Sequence, residues 1–130
     1  MEALYLWTWP QNYSEECIGS YQYQSGEEWL IFGRGKCLLA GEVNFIPTIV
    51  FEVSKEKLEK YDCLPCGGMG FLVNREVRKL LLSLASDDVQ FFPAKVICKG
   101  EELKDYYILN ITHLMRGINH DESIYSLLGL

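Results

Sequence analysis

The sequence lacks the features that mark membrane and secreted proteins. No apolar run approaches the roughly 18 residues that a membrane-spanning helix requires. The apolar start of the chain, MEALYLWTW, is preceded by no Lys or Arg and reaches Trp7, Trp9 and Pro10 too early for a signal peptide. The five cysteines are odd in number and irregularly spaced, unlike a secreted disulfide framework. We therefore expect a cytoplasmic protein that does not span a membrane.

Catalytic signatures are also missing from the sequence. It contains no HExxH or GxSxG motif, and the run GGMG (residues 67–70) is not followed by the Lys-Ser/Thr pair of a phosphate loop. One of the two histidines, His120, precedes Asp121 and could act as a general base, but no nucleophile or oxyanion hole can be named beside it. We expect that the chain is not an enzyme, and an enzyme with an unrecognised site is the weakest alternative.

Charge and apolar content limit the classes of partner. The 130 residues are 48% hydrophobic and 13% aromatic, which is enough for the core of one domain. Lys and Arg number 12 against 18 Asp and Glu, so the formal charge is −6. An acidic surface repels phosphate backbones and anionic lipids, and we expect neither a nucleic acid nor a membrane as partner. A basic protein surface fits better, although the same charge also keeps a small domain soluble.

The spacing of apolar residues predicts an α+β fold, in which one principal amphipathic helix packs on a mainly antiparallel sheet. The helix is predicted over Arg75–Ala85, with Asn74 as its N-cap and with an apolar stripe buried against the core. The stripe consists of Val77, Leu80, Leu81 and Leu84, and the residues expected on the solvent side are Arg75, Arg78 and Lys79.

Apolar runs bounded by turn residues predict strands over residues 3–9, 29–32, 36–40, 48–53, 89–98 and 105–112. The last two form the clearest pair, with residues 99–102 as the turn between them. Pro93 has no N–H group, so its strand is expected to bulge or to lie at a sheet edge. Ser54 is expected to cap a short helix over residues 55–60, and the glycine-rich residues 61–70 are expected to form a loop.

Cys63-Leu64-Pro65-Cys66 is the one recognisable motif, and it supports the alternative hypothesis of a small metal- or thiol-dependent protein. A redox pair would place its first cysteine at a helix N-terminus, whereas here the second cysteine is followed by glycines. Zinc would need two further ligands, and none of the candidates has a suitable spacing. These candidates are Cys37, Cys98, His113 and His120. We therefore expect no metal and no cofactor, and two thiols in a glycine-rich turn.

Aromatic residues crowd the first 30 positions of the chain. Tyr and Trp are enriched at protein interfaces, where the ring packs and the polar tip forms a hydrogen bond. An exposed aromatic loop that binds a partner is one interpretation, and local packing over the core is the other. The residues concerned are Tyr13, Tyr21, Tyr23 and Trp29.

Four ordered sequence blocks lie between residues 70 and 125. They are FLVNREV (residues 71–77), VQFFPAKV (residues 89–96), YYILNI (residues 106–111) and DESIY (residues 121–125). This order of blocks resembles the immunity proteins of bacterial polymorphic toxin systems, in the families numbered eleven and forty-three. Those families share a Leu-Val-Ser helix start, a Val-Gln-Phe-Phe-Pro strand, a Tyr-Tyr-Leu-Leu-Asn strand and an acidic-x-Ser segment. The resemblance implies a single immunity-protein-like domain over residues 1–130.

The resemblance also implies a function, which is inhibition by binding. The chain would be an antitoxin that neutralises a cognate toxin domain in bacterial competition, by covering its active site or by locking an inactive shape. An acidic surface and an aromatic loop are consistent with contact to a basic toxin domain. The expected partner-binding residues are Tyr13, Tyr21, Tyr23, Trp29, Glu101, Glu102, Asp121 and Glu122.

Overall fold

The computed structural model describes residues 10–22, 31–32, 34–67 and 70–112. The helices in this part of the chain are a 3-10 turn over Glu15–Cys17, α1 over Lys55–Leu58 and α2 over Arg75–Ala85. The strands are β1 (Ser20–Gln22), β2 (Thr48–Phe51), β3 (Cys63–Cys66), β4 (Gly70–Asn74), β5 (Val89–Pro93), β6 (Lys95–Cys98), β7 (Glu101–Leu103) and β8 (Tyr106–Ile111). None of these helices is long and apolar enough to cross a membrane.

The strands form two four-stranded sheets rather than one. The first has the order β1-β2-β6-β7 and the second has the order β3-β4-β8-β5. All neighbouring strands are antiparallel except β2 and β6, which run parallel. The predicted α+β fold, with a mainly antiparallel sheet and one principal helix packed on it, is confirmed, and the division into two sheets is an addition to it.

The main core contains apolar side chains from both sheets. Alternate residues of a strand point to opposite faces, so each sheet supplies one face to this core. The predicted buried face of β2 is confirmed, because Ile49 and Phe51 are 0% exposed and Val53, just beyond the strand, is 5% exposed. Leu72 and Ile108 of the second sheet join the same cluster and are also 0% exposed. Burial of these side chains is the main stabilising term of the fold.

The predicted strand over residues 89–98 is two strands that belong to different sheets. β5 pairs with β8 in the second sheet, as expected, but β6 pairs with β2 and β7 in the first. The break follows Pro93, which cannot donate a ladder hydrogen bond and ends the edge strand β5. The turn at Lys99 and Gly100 therefore joins β6 to β7, and its positive φ angles of 49° and 84° suit a two-residue hairpin.

The prediction of a loop over residues 61–70 was wrong for its centre. Cys63–Cys66 forms β3, which pairs with β4 at the edge of the second sheet. An edge strand tolerates Pro65, and the carbonyl of this residue accepts a hydrogen bond of 2.9 Å from the Gly19 N–H group. Tertiary pairing therefore outweighs the local preference of a Gly- and Pro-rich segment.

Other local predictions had mixed outcomes. The short helix begins after Ser54 as predicted, but it ends at Leu58 and the Ser54 side chain forms no cap hydrogen bond. Residues 36–40 form no strand. The strand predicted over residues 3–9 lies outside the described residues, as do the first two residues of the one predicted over residues 29–32.

Helix α2 has the predicted bounds, but it is not a buried core helix. The Asn74 side chain accepts a hydrogen bond of 3.0 Å from the Val77 N–H group, which confirms the predicted N-cap. No residue of the helix is fully buried, and Leu80 and Leu84 of the expected stripe are 56% and 74% exposed. Leu81 is only half-buried.

Arg78 explains part of this difference, since it was expected to face solvent and is instead half-buried. Its guanidinium lies 4.8 Å from the ring centre of Tyr107 and 5.8 Å from that of Phe91. Both rings belong to strands of the second sheet. A cation over an aromatic face is stabilised by the ring quadrupole, and the arginine stem adds apolar contact. The helix therefore meets the sheet through an arginine as well as through its apolar stripe.

Truncating a half-buried leucine of α2 should affect stability more than truncating an exposed one. We predict that Leu81→Ala lowers the free energy of unfolding by about 1–2 kcal/mol, less than the roughly 2–5 kcal/mol typical of a fully buried leucine. Leu84→Ala should change it by less than about 0.5 kcal/mol, because that side chain is already exposed. Chemical denaturation of both variants measures these values. Equal losses above about 2 kcal/mol would contradict the observed orientation of the helix.

Candidate functional site

A cleft of about 470 Å³ lies on the surface of the described residues. It lies between α1, the start of α2 and the connection from β7 to β8. Its lining residues are Lys55, Glu59, Asn74, Arg75, Glu76, Glu102, Leu103, Lys104, Asp105 and Tyr106. Most of these are charged, whereas small-molecule pockets are mainly apolar. The cleft therefore suits a charged protein surface better than an apolar small molecule.

Asn74 fixes the wall of the cleft formed by α2. Its side-chain oxygen caps the helix, and its side-chain nitrogen donates a hydrogen bond of 2.8 Å to the Asp62 carboxylate. Its backbone N–H group donates a second hydrogen bond of 2.8 Å to the Asp62 carbonyl. One residue therefore sets both where the helix begins and where the segment before β3 lies. An N-cap of this kind contributes about 1 kcal/mol to stability.

Tyr106 forms a nearly buried part of the lining. Its side chain is 6% exposed, and its hydroxyl donates a hydrogen bond of 2.6 Å to the Tyr61 carbonyl. Burial raises the pKa of Tyr106 to about 12, so the phenol stays protonated and remains a donor at neutral pH. The preceding residue, Asp105, adopts a positive φ of 67°, which an aspartate tolerates in a tight connection. The short link between β7 and β8 is thereby fixed beneath the cleft.

The lining of the cleft has a small excess of negative charge. Lys55 forms an ion pair of 3.4 Å with Glu101 at the rim, and both side chains are exposed enough that the pair adds little stability. Within the described part of the chain, the four carboxylates that line the cleft have no cation at ion-pair distance. They belong to Glu59, Glu76, Glu102 and Asp105. With Lys55 paired, these carboxylates outnumber the two remaining cations and give the cleft an acidic character.

Among the described residues, the predicted contact residues Tyr21 and Glu102 lie at opposite edges of one sheet. Glu102 lines the cleft, and its neighbour Glu101 lies at the rim on the same strand, β7. Tyr21 lies on β1, which is the opposite edge of the same sheet. At about 4.8 Å per strand, the three steps from β1 to β7 separate them by roughly 14 Å. A single small contact therefore does not include both groups.

Tyr13 packs locally, which was one of the two interpretations of the aromatic residues. Its ring lies 4.9 Å from that of Tyr61, and its hydroxyl donates a hydrogen bond of 2.8 Å to the Cys17 carbonyl. Burial raises the pKa of this hydroxyl above its ordinary value. The other candidates, Tyr23, Trp29, Asp121 and Glu122, lie outside the residues that the structure describes.

A pair of side-chain amides, one buried (Asn110) and one half-buried (Gln90), was missed by the sequence analysis. Gln90 and Asn110 are opposite each other on β5 and β8, and the Asn110 amide nitrogen donates a hydrogen bond of 3.0 Å to Gln90. The same nitrogen donates one of 2.9 Å to the Lys36 carbonyl. Gln90 accepts from the Leu38 N–H group and donates to the Leu38 carbonyl, both at 2.9 Å. Polar residues within otherwise apolar strands were the signal that could have indicated this network.

The geometry of the cysteine motif does not favour shared chemistry. Cys63 and Cys66 lie three positions apart on β3, so their side chains point to opposite faces of the strand. Burial raises the pKa of the Cys63 thiol to about 11 and that of the Cys66 thiol to about 12. Among the described residues, no group of three His, Cys, Asp or Glu side chains is placed to hold a metal ion. Only Cys37 of the five cysteines is exposed.

Comparisons with protein-family models, with curated proteins and with solved structures find no match to this chain.

Thiol labelling tests this description of the cysteines. In the native protein at pH 7 we predict that a maleimide modifies Cys37 rapidly and Cys63 and Cys66 only slowly, because raised pKa values leave a very small thiolate fraction. Labelling of Cys63 should accelerate as the pH rises towards 11. Mass spectrometry of peptides measures the reaction at each site, and Cys37→Ser should remove the fast phase. Rapid labelling of Cys66, or a disulfide between Cys63 and Cys66, would contradict the geometry.

Proposed function

We propose that this chain is a cytoplasmic immunity protein that binds a cognate bacterial toxin domain and neutralises it without catalysis. The observation that carries this proposal is the arrangement of the sequence blocks that resemble such proteins. Three of the four blocks lie within the described residues. The first contains most of β4 and the start of α2, the second contains β5, and the third is β8. These strands are adjacent in the second sheet in the order β4-β8-β5, and α2 packs on them. These three blocks therefore lie mostly in one sheet, and only the end of the second block, Lys95 and Val96, continues into β6 of the first sheet.

The polar residues within these blocks support the same proposal, because each has a defined structural role. Asn74, at the position where the families have Ser, another N-cap residue, caps α2 and holds the segment at Asp62. Gln90 and the buried Asn110 form the pair of side-chain amides. Polar residues that form hydrogen bonds with buried groups are costly to replace. A shared sequence pattern that includes such residues therefore indicates a particular fold more specifically than shared apolar residues do. The resemblance therefore concerns how the sheet is built and not only which strands are apolar.

The electrostatics are compatible with a basic protein partner. The chain carries a formal charge of −6, and its cleft holds four carboxylates without an ion-pair partner among the described residues. Complementary charges accelerate encounter and orient the two proteins, and they contribute less to the lifetime of the complex. An inhibitor that acts by stoichiometric binding needs both a fast encounter and a long-lived contact. In this proposal the acidic cleft accelerates the encounter with the toxin domain.

The proposal predicts that an adjacent gene encodes the toxin, and co-expression with that toxin tests the function directly. Cells that produce the toxin domain should survive when this chain is also produced, and the two proteins should co-purify as a one-to-one complex. A catalytically inactive toxin variant should still co-purify, because the proposal requires binding and not turnover. Unchanged cell death together with a failure to co-purify would show that the chain is not the immunity protein of that toxin.

The acidic cleft should influence the association rate. We predict that Glu102→Lys slows association with the toxin domain several-fold at low salt, and that the difference fades as salt screens the charges. Glu15→Lys alters the net charge equally at an exposed position outside the cleft, and it should have a smaller effect. Stopped-flow mixing at several salt concentrations measures both rates. Equal slowing by the two variants would show that net charge, and not the cleft, steers the encounter.

A further inference from the structure

Residues 34–47 form a long segment without helix or strand. Irregular loops of more than roughly 12 residues are uncommon in compact domains, and they are usually either functional or disordered. This segment is held in place by specific contacts. The side-chain amides of half-buried Gln90 and buried Asn110 bind its backbone at Leu38 and Lys36 with hydrogen bonds of 2.9 Å. A functional role is therefore the better explanation of its length.

Apolar contacts hold the same segment on its inner side. Leu38, Val43 and Phe45 pack against the main core. The ring of Phe45 lies 6.2 Å from that of Phe32, at an angle of 65° that is typical of an edge-to-face pair. Hydrogen bonds therefore hold the backbone near the start of the segment, and apolar contacts hold its later part.

The tip of the segment is a preformed turn. The Glu42 N–H group donates a hydrogen bond of 3.1 Å to the Leu39 carbonyl, and the Glu42 carboxylate accepts one from the Leu39 N–H group. Gly41, at the third position of the turn, has a positive φ of 92°, which glycine adopts without steric cost. The turn nevertheless leaves Leu39 70% exposed, and Ile46 near the end of the segment is 60% exposed. Two large apolar side chains are therefore presented to solvent on a backbone that is already ordered.

The charges beside these side chains indicate the chemistry of a partner. Arg34 and Lys36 are exposed and form no ion pair within the described part of the chain. Glu42, the one acidic residue of the segment, is already bonded to its own turn. The segment thus carries two positive charges and one negative charge, a net positive charge on a protein whose formal charge is −6. A surface that complements it has an apolar pocket bordered by carboxylates.

We propose that residues 34–47 form the anchor by which this chain binds its toxin, with Leu39 inserted into an apolar pocket bordered by carboxylates on the toxin domain. This inference rests on the proposed function and assigns the contact surface for it. A preordered turn gives up little conformational entropy on binding, which is how a single exposed side chain can contribute strongly to affinity. The cleft and this segment lie towards opposite ends of β8, near Tyr106 and Asn110 respectively. Their opposite charges would orient the toxin along that strand.

Binding kinetics with the purified toxin domain from the adjacent gene test the inference. Leu39→Asp should weaken binding by about 30-fold or more, mainly through faster dissociation, as expected when a central anchor is lost. Leu84→Asp is the matched control, because Leu84 is similarly exposed, at 74% against 70%, and lies on α2. It should change the affinity less than about 3-fold. Both variants should melt within a few degrees of the wild type, since neither side chain is buried.

The milder variant Leu39→Ala removes the side chain without adding a charge, so it controls for effects of the new carboxylate and for misfolding. It should weaken binding by about 10-fold. If both Leu39 variants bind as the wild type does, the inference is overturned while the proposed function stands. If the Leu84 variant loses affinity and the Leu39 variants do not, the contact lies on α2 and the inference is again overturned. If the wild-type chain itself does not bind the toxin domain, both the proposed function and this inference fail.

Discussion

The Asn110 side chain has no exposure to solvent, and its amide must therefore form hydrogen bonds with protein atoms. It does so with Gln90 on the neighbouring strand and with the Lys36 carbonyl of a segment distant in sequence. Gln90 in turn bonds both backbone groups of Leu38. This pair of amides connects the second sheet to residues 34–47 and fixes a segment that has no regular secondary structure of its own. Because an unsatisfied buried amide costs about 1–3 kcal/mol, the network favours one position of that segment over others.

Local signals predicted α2 well because they are contained within the helix and its cap. The Asn74 side chain and the apolar spacing that follows define where the helix begins, and the structure has the same bounds. The same spacing could not show how deeply the helix is buried. That depth depends on the sheet beneath the helix. There the Arg78 guanidinium packs on the rings of Tyr107 and Phe91, and Leu84 stays exposed to solvent. Periodicity indicates which side of a helix is apolar, but tertiary packing decides how much of that side is covered.

Non-local pairing accounts for the predictions that were wrong. Cys63–Cys66 contains a proline and precedes glycines, yet β4 pairs with it on one side and Gly19 bonds its other edge. The apolar run of residues 89–98 continues through Pro93, but the chain passes from one sheet to the other there. The same limit applies to the candidate site. Sequence could indicate Glu102 as an acidic surface residue, but only the folding of α1 and α2 beside β7 makes it part of a cleft.

Hydrogen exchange of the chain, alone and with the toxin domain from the adjacent gene, tests the central claim that an ordered segment at residues 34–47 contacts the toxin. In the free chain, the Leu38 and Leu39 amide hydrogens should be protected, because Gln90 and Glu42 accept hydrogen bonds from them. Addition of the toxin domain should slow exchange across residues 34–47 further and leave the second half of α2 unchanged. Unprotected exchange of this segment in the free chain, or exchange that the toxin does not alter, would contradict the account.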